Sequence, residues 1–191
     1  SGVPPDYFSS SGQLWGTPVY RWERHKLNKY RWWRNRFKHQ WKLFDVVRLD
    51  HFRALESFWD VPGDEETAEN GSWKPSPGDE LLHFIQKDFV GNLPLIAEDL
   101  GIITPAVEKL RTRYSLPGMK ILQFAFDGNK DNPYLPKNIA GERCVVYTGT
   151  HDNPTTLSWW NSVDNETKEF VKSLTSEELN SPAWKLIELG L

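Results

Sequence analysis

Four short runs of β-forming residues, separated by stretches that carry helix punctuation, constrain this chain more than any other feature. Residues 44–50 read Phe-Asp-Val-Val-Arg-Leu-Asp and residues 93–99 read Leu-Pro-Leu-Ile-Ala-Glu-Asp. Both have the pattern of a buried strand that delivers polar groups at its C-terminal end. Two more runs, 119–126 and 143–148, follow, the last leading into Gly149-Thr150-His151-Asp152. Between them the sequence predicts a helix over 80–89 closed by Gly91, and another opened by Thr104 as N-cap with Pro105 in its first turn. Asn153 with Pro154 predicts a further helix start, and Thr175 with Glu178 forms a capping box for a last helix.

Strands that alternate with helices imply right-handed crossovers and a parallel sheet, an α/β fold. A doubly wound sheet announces its ligand site with a glycine-rich phosphate turn, and neither G-x-G-x-x-G nor a P-loop occurs here. A (β/α)8 barrel places its chemistry at the C-terminal ends of several strands, where Asp50, Glu98 and Asp152 all fall. The barrel is therefore the expected architecture. A complete one takes about 250 residues, so four strands are expected to make a partial TIM barrel with two unpaired sheet edges.

Composition narrows the function classes. With 38% hydrophobic and 26% charged residues in 191, the chain reads as a soluble globular protein, without an apolar run able to cross a bilayer. Its 23 basic and 26 acidic residues leave a net charge of -3, which predicts no nucleic-acid partner and no membrane partner. The single cysteine, Cys144, suits a reducing compartment and excludes a disulfide scaffold or a cysteine-rich zinc site. The first six residues have neither a basic start nor an apolar core, so no signal peptide is expected. Residues 1–20, rich in Gly, Pro and Ser, read as a long loop, and long loops in compact domains are commonly functional. Ten tryptophans are more than a core needs and suit a surface that stacks on sugars or bases. In Trp32-Trp33 and Trp159-Trp160, neighbours on a helix face different ways, so one of each pair is expected in the core.

The chemistry is expected at the strand ends, where Arg48, Asp50 and His51, then Glu98 and Asp99, then His151, Asp152 and Asn153 gather. A lone carboxylate after a strand is more often a cap or an ion-pair partner. Three at three strand ends are harder to dismiss. Glycosidic-bond chemistry needs two carboxyl groups in different environments, one protonated to donate to the leaving oxygen and one ionised. Arg48, two residues before Asp50 and on the same strand face, would keep that carboxylate ionised.

The string Phe44-Asp45-Val46-Val47-Arg48-Leu49-Asp50-His51-Phe52-Arg53 resembles the 4-α-glucanotransferases (amylomaltases, or disproportionating enzymes) of the α-amylase-like clan. So do Ile96-Ala97-Glu98-Asp99-Leu100-Gly101, Tyr147-Thr148-Gly149-Thr150-His151-Asp152-Asn153, Leu122-Gln123-Phe124-Ala125-Phe126, and the loop Gly2-Val3-Pro4-Pro5-Asp6-Tyr7-Phe8-Ser9 with Gly12-Gln13-Leu14-Trp15-Gly16. The resemblance implies Asp50 as nucleophile, Glu98 as general acid/base and Asp152 as the third acid, which grips the sugar hydroxyls. It implies substrate contacts from Arg48, His51, His151 and Asn153, and from Asp6, Tyr7, Phe8 and Trp15 in a loop that covers the acceptor. Residues 1–191 then form part of a catalytic barrel, roughly its strands four to seven, with 1–40 an aromatic-rich substrate loop and helical insertion. The implied partners are α-1,4-glucans and maltooligosaccharides, with no cofactor and no metal. The implied location is the cytoplasm, or the plastid stroma in a plant or alga. Ala54, where the family pattern has glycine, and Pro154, where it has aspartate, depart from that pattern away from the three acids. Two other readings stay open on the residues alone: an α-glucan hydrolase of the same clan, and a non-catalytic glucan-binding or inert partial domain.

Overall fold

The computed structural model describes residues 1–6 and 9–191, so Tyr7 and Phe8 lie outside the described residues. The fold is mixed α/β and divides into two compact units, Ser1–Pro117 and Gly118–Leu191.

In the first unit, β1 (Gly2–Val3) and β2 (Gln13–Leu14) are followed by α1 (Trp22–Leu27), α2 (Arg31–Gln40), β3 (Val47–Leu49) and a 3-10 turn over Phe52–Leu55. Then come β4 (Ser57–Asp60), β5 (Ser72–Pro75), α3 (Gly78–Lys87), β6 (Leu95–Ala97) and α4 (Pro105–Arg113). β3 and β6 pair in parallel, Val47 opposite Leu95, Arg48 opposite Ile96 and Leu49 opposite Ala97. The parallel pairing and both strand locations follow the expectation, but the strands are shorter. Phe44 and Val46, expected within a buried strand, are 57% and 50% exposed, because the ladder begins only at Val47, where β6 supplies a partner.

Among the described residues of 1–20, the expected loop is interrupted by the two short strands β1 and β2. β1 pairs antiparallel with β2 and with β4, and β4 pairs with β5, which makes a four-stranded antiparallel sheet in the order β2-β1-β4-β5. Strands of two residues have no detectable period, and the Gly2–Trp59 pairing joins positions far apart in sequence. That sheet therefore left no local trace.

The core beneath β3 and β6 is built by α3, whose Leu81, Leu82 and Ile85 are buried with Phe52, Leu93, Leu95, Val107 and Leu110. Each such side chain contributes about 1.5–3 kcal/mol through burial. The first residue of α3, Gly78, has to be glycine because a Cβ there would collide with the backbone oxygen of Leu55. Its C-cap is Asp88 rather than Gly91, which lies three residues further on at φ +95°. α2 is tied to this helix by a fork in which Arg34 Nε and Nη2 each donate to an Asp88 oxygen at 2.6 Å. α4 begins as the sequence predicts, Pro105 opening it and Thr104 Oγ1 accepting from the N–H of Val107 at 3.4 Å.

The second unit holds β7 (Gly118–Ile121), a 3-10 turn over Leu122–Phe124, α5 (Pro136–Ile139), β8 (Cys144–Tyr147), α6 (Thr156–Ser162), α7 (Asn165–Ser173) and α8 (Pro182–Leu189). β7 and β8 pair in parallel from Gly118–Cys144 to Ile121–Tyr147. The expected strand over 119–126 stops at Ile121. Leu122, Ala125 and Phe126 are buried together with Leu135, Trp159, Val171 and Leu186, and that spacing of three and four belongs to a helical turn. Asn153 does not cap a helix. α6 is capped instead by Thr155, whose hydroxyl accepts from Ser158 N–H at 3.3 Å. Thr175 does not open the last helix either, since its hydroxyl donates back to Val171 O at 3.1 Å and so closes α7, while α8 starts only at Pro182.

In both tryptophan pairs one partner is core: Trp33 and Trp159 are buried, whereas Trp32 is 47% exposed. No sheet closes on itself among the described residues. No helix among them is long and apolar enough to cross a membrane.

Candidate active site

The register of β3 and β6 decides the geometry of the first unit's site. Because Leu49 stands opposite Ala97, the next residue on each strand, Asp50 and Glu98, leaves the same end of the parallel pair. The ladder continues past the strand ends, Glu98 N–H donating to Leu49 O at 3.0 Å and Phe52 N–H to Glu98 O at 3.1 Å. The two carboxyl-bearing residues thus sit on neighbouring backbones held in register.

Their surroundings differ. Asp50 has a side chain 62% exposed, and its Oδ1 lies 2.7 Å from Arg48 Nη2. Glu98 is half-buried and both its oxygens are engaged: Oε2 accepts from His51 N–H at 2.7 Å and Oε1 from Leu100 N–H at 2.9 Å. Burial pushes the Glu98 carboxyl above the ordinary glutamate value, and the two backbone donors oppose that only in part. Asp50 adds to the rise and Arg48 counters it. One acid that is open and paired with a cation and another that is withdrawn from water and disposed to keep its proton make the pair acid/base chemistry calls for.

His51 links the two. It adopts a left-handed backbone at φ +48°, which turns its N–H onto Glu98. Burial, then the charge of Arg53, brings its imidazole down to about 4 against the opposite pull of Asp50, so the ring is neutral at physiological pH. The Trp15 and His51 rings meet at right angles, 4.8 Å between centroids. Trp15 is itself 42% exposed, with its indole N–H on Gln13 Oε1 at 3.1 Å. Asp6 spends one carboxylate oxygen on its own loop, accepting from Ser9 N–H at 2.9 Å.

In the second unit, His151 and Asp152 lie four and five residues beyond the end of β8, exposed, with His151 Nε2 3.4 Å from Asp152 Oδ2. Asn153 folds back on their loop, its Oδ1 accepting from Thr150 N–H at 2.8 Å and Thr150 Oγ1 at 3.0 Å.

Sequence reasoning missed the contributions that have no side-chain signature. The N–H groups of His51 and Leu100 are the main partners of Glu98, and every residue but proline has such a donor. It also passed over Arg53, whose guanidinium lies 3.9 Å from the centroid of the Trp73 ring, and Gln123, whose Nε2 donates to Pro154 O at 3.0 Å. Among the described residues no group of three or more His, Cys, Asp or Glu side chains converges as a metal site.

Comparison with known proteins gives a consistent set of relatives. The profile of a family described as 4-alpha-glucanotransferase matches residues 1–191. A 4-alpha-glucanotransferase of Synechocystis is 50% identical over the whole of this chain, and that of Thermus thermophilus 47% identical. The chloroplastic or amyloplastic enzyme of Arabidopsis thaliana is 46% identical over 98% of the chain. The chain spans 38%, 39% and 32% of the lengths of these three relatives. Among solved structures, the amylomaltase of Streptococcus agalactiae in complex with acarbose superposes with a TM-score of 0.88 at 38% identity, over 98% of this chain and 38% of that one. The amylomaltase of Corynebacterium glutamicum, at 22% identity and a TM-score of 0.72, covers 98% of this chain and 26% of its own, and is similar in fold.

Proposed function

Because this chain belongs to the 4-alpha-glucanotransferase family, we propose that it carries the acid-bearing part of a catalytic (β/α)8 barrel whose whole enzyme transfers α-1,4-glucan segments between maltooligosaccharides or the chains of starch and glycogen. In this reading residues 1–191 are roughly strands four to seven with their helices, and 1–40 serve as substrate loop and helical insertion. The cytoplasm, or the plastid stroma, is the expected location.

The reaction is a retaining double displacement. The Asp50 carboxylate attacks the anomeric carbon, the bond from that carbon to the leaving oxygen breaks, and Glu98 gives its proton to that oxygen. A glycosyl ester on Asp50 results. The 4-hydroxyl of an acceptor sugar then loses its proton to the Glu98 carboxylate and attacks the same carbon, which frees Asp50 and restores the protonated Glu98. Asp152 holds hydroxyls of the sugar at the cleaved bond and stabilises the cationic transition state. Arg48 orients Asp50, while His51, His151 and Asn153 hydrogen-bond the sugar. Asp6, Tyr7, Phe8 and Trp15 belong to the loop over the acceptor, where an aromatic cover disfavours water as the attacking hydroxyl.

The observation that carries this reading is the contrast between Asp50 and Glu98 at adjacent strand ends, one open and ion-paired with Arg48, the other raised by burial. The test is a full-length chimera in which these 191 residues replace the matching span of the Thermus thermophilus relative. With maltotriose it is expected to make glucose and longer maltooligosaccharides at a constant number of reducing ends. Reducing ends that rise with each bond cleaved would identify a hydrolase, and glucan binding without product an inert domain. The 191 residues alone are expected to be inactive.

A further inference from the structure

The loop that carries His151 and Asp152 is held from two sides within the second unit. From inside, Asn153 Oδ1 takes the N–H and hydroxyl of Thr150, and Thr150 Oγ1 in turn accepts from Asp152 N–H at 3.3 Å. From beneath comes Gln123, a residue only 8% exposed on the 3-10 turn that follows β7. Its Nε2 donates to the carbonyl of Pro154, two residues beyond Asp152, at 3.0 Å. At the other end of the same loop Gly149 lies so close that a Cβ on it would stand 2.7 Å from Gln123 Nε2. The carboxamide therefore spans the loop's base from Gly149 to Pro154.

Gln123 is an unusual choice for a packing residue. Its Oε1 is buried without a hydrogen-bond partner among the described residues, a desolvated acceptor that an apolar side chain of the same shape would avoid. Pro154 adds to the constraint, because a proline restricts the backbone of the residue before it, here Asn153.

We propose that Gln123 is a positioning residue for Asp152: its amide donor to Pro154 O fixes the height and tilt of the 149–154 loop and thereby aims the Asp152 carboxylate. The inference rests on the reading of Asp152 as the third acid of the site. Gln123 touches no reacting atom in this account; it acts through the loop.

The decisive variants are made in the full-length chimera. Gln123→Met keeps the length of the side chain and removes the donor. It is expected to lower kcat for maltotriose disproportionation by about tenfold to a hundredfold, the usual effect of a small misplacement, with KM unchanged within about twofold. Gln123→Glu adds a readout that simple space-filling would not move. A protonated glutamic acid can donate its O–H to Pro154 O, whereas the ionised carboxylate sets one acceptor against another there. The ratio of variant to parent kcat is therefore expected to approach one at acid pH and to fall as pH rises. His151 and Asp152, the ionisable side chains of the loop, are common to parent and variant, so the ratio isolates the new group.

Parent-like kcat in Gln123→Met, or a ratio for Gln123→Glu that does not change with pH, overturns the proposal. If Gln123→Met fails to fold, the pH-dependent ratio of Gln123→Glu, read on one folded protein, decides. Asp152→Asn is the control: parent-like kcat there overturns the reading of Asp152 and this inference with it. Loss of kcat in Asp152→Asn without loss in Gln123→Met overturns the inference alone.

Discussion

The backbone N–H of His51 donates to Glu98 Oε2 at 2.7 Å, so the residue immediately after one strand-end acid holds the carboxyl of the other. A left-handed φ of +48° at His51 makes this possible, a conformation with a steric cost for a residue with a Cβ. Displacement of Asp50 along its strand would carry the His51 donor with it. The two acids are thus coupled through backbone as well as through charge.

For Glu98 the expectation concerns proton occupancy. Its carboxyl is raised by burial, so it holds its proton to a higher pH than an ordinary glutamate, and transfer is expected to fall along an alkaline limb set by this group. The sign for stability is the same: a raised carboxyl contributes fully below the ordinary glutamate value, and that contribution is lost as pH rises through the folded value. Glu98→Gln should be far less impaired with an α-glycosyl fluoride donor, whose leaving group needs no proton, than with maltotriose. Equal impairment with both would reassign the role.

Asp50 supplies the bond-forming electron pair in the proposed cycle, and the amide of Asp50→Asn cannot. Transfer by that variant in the full-length chimera is expected to fall by about four to six orders of magnitude, as for loss of other covalent nucleophiles. Its melting temperature should stay near that of the parent, because the side chain is 62% exposed. Retention of a few per cent of activity in a well-folded variant would remove Asp50 from this role.

Trp15 packs perpendicular to the His51 ring at 4.8 Å between centroids and remains 42% exposed, which leaves ring surface for a sugar. In Trp15→Ala the ratio of transfer to hydrolysis should drop more than total bond cleavage does, measured as reducing ends formed per glucose released. Two rates that fall together would make the tryptophan a packing residue.

A stability prediction concerns Arg34 and Asp88, whose bidentate fork ties α2 to the end of α3. Hydrogen bonds from Arg34 first, with help from Lys38, hold the Asp88 carboxyl down at about 2. A depressed carboxyl contributes stability above its ordinary value, and the contribution is lost as pH falls toward the folded value. Asp88→Asn is therefore expected to cost about 1.5–3 kcal/mol at neutral pH and progressively less in acid. Urea midpoints at pH 7 and pH 3 check this, and an equal loss at both would exclude the charge as its cause.

The chain order of the acids could be read before any coordinates, because a carboxylate after a β-forming run is a local pattern. So could the pairing of Arg48 with Asp50, since alternate residues on a strand share a face. Thr104 and Pro105 announce α4 because a cap and its proline act on the backbone beside them. Residues 122–126 misled for the converse reason. An unbroken apolar run satisfies a strand and a helical turn equally, and the packing of Leu122, Ala125 and Phe126 in the core decided it.

What stayed hidden depends on where the chain returns. Gly2 pairs with Trp59 across a long stretch of intervening chain, so no short window of sequence contains that sheet. The two N–H groups on Glu98 are chemically identical to every other amide and differ only in aim, which the register of β3 against β6 and the turn at His51 supply. Gln123 is likewise an ordinary glutamine until β7 and β8 bring it under Pro154. Residue types and short-range spacing determine which groups are available and which element bears them. Burial of one carboxyl and exposure of its neighbour arise from contacts between distant segments, and it is that difference in solvation that sets the two acids apart.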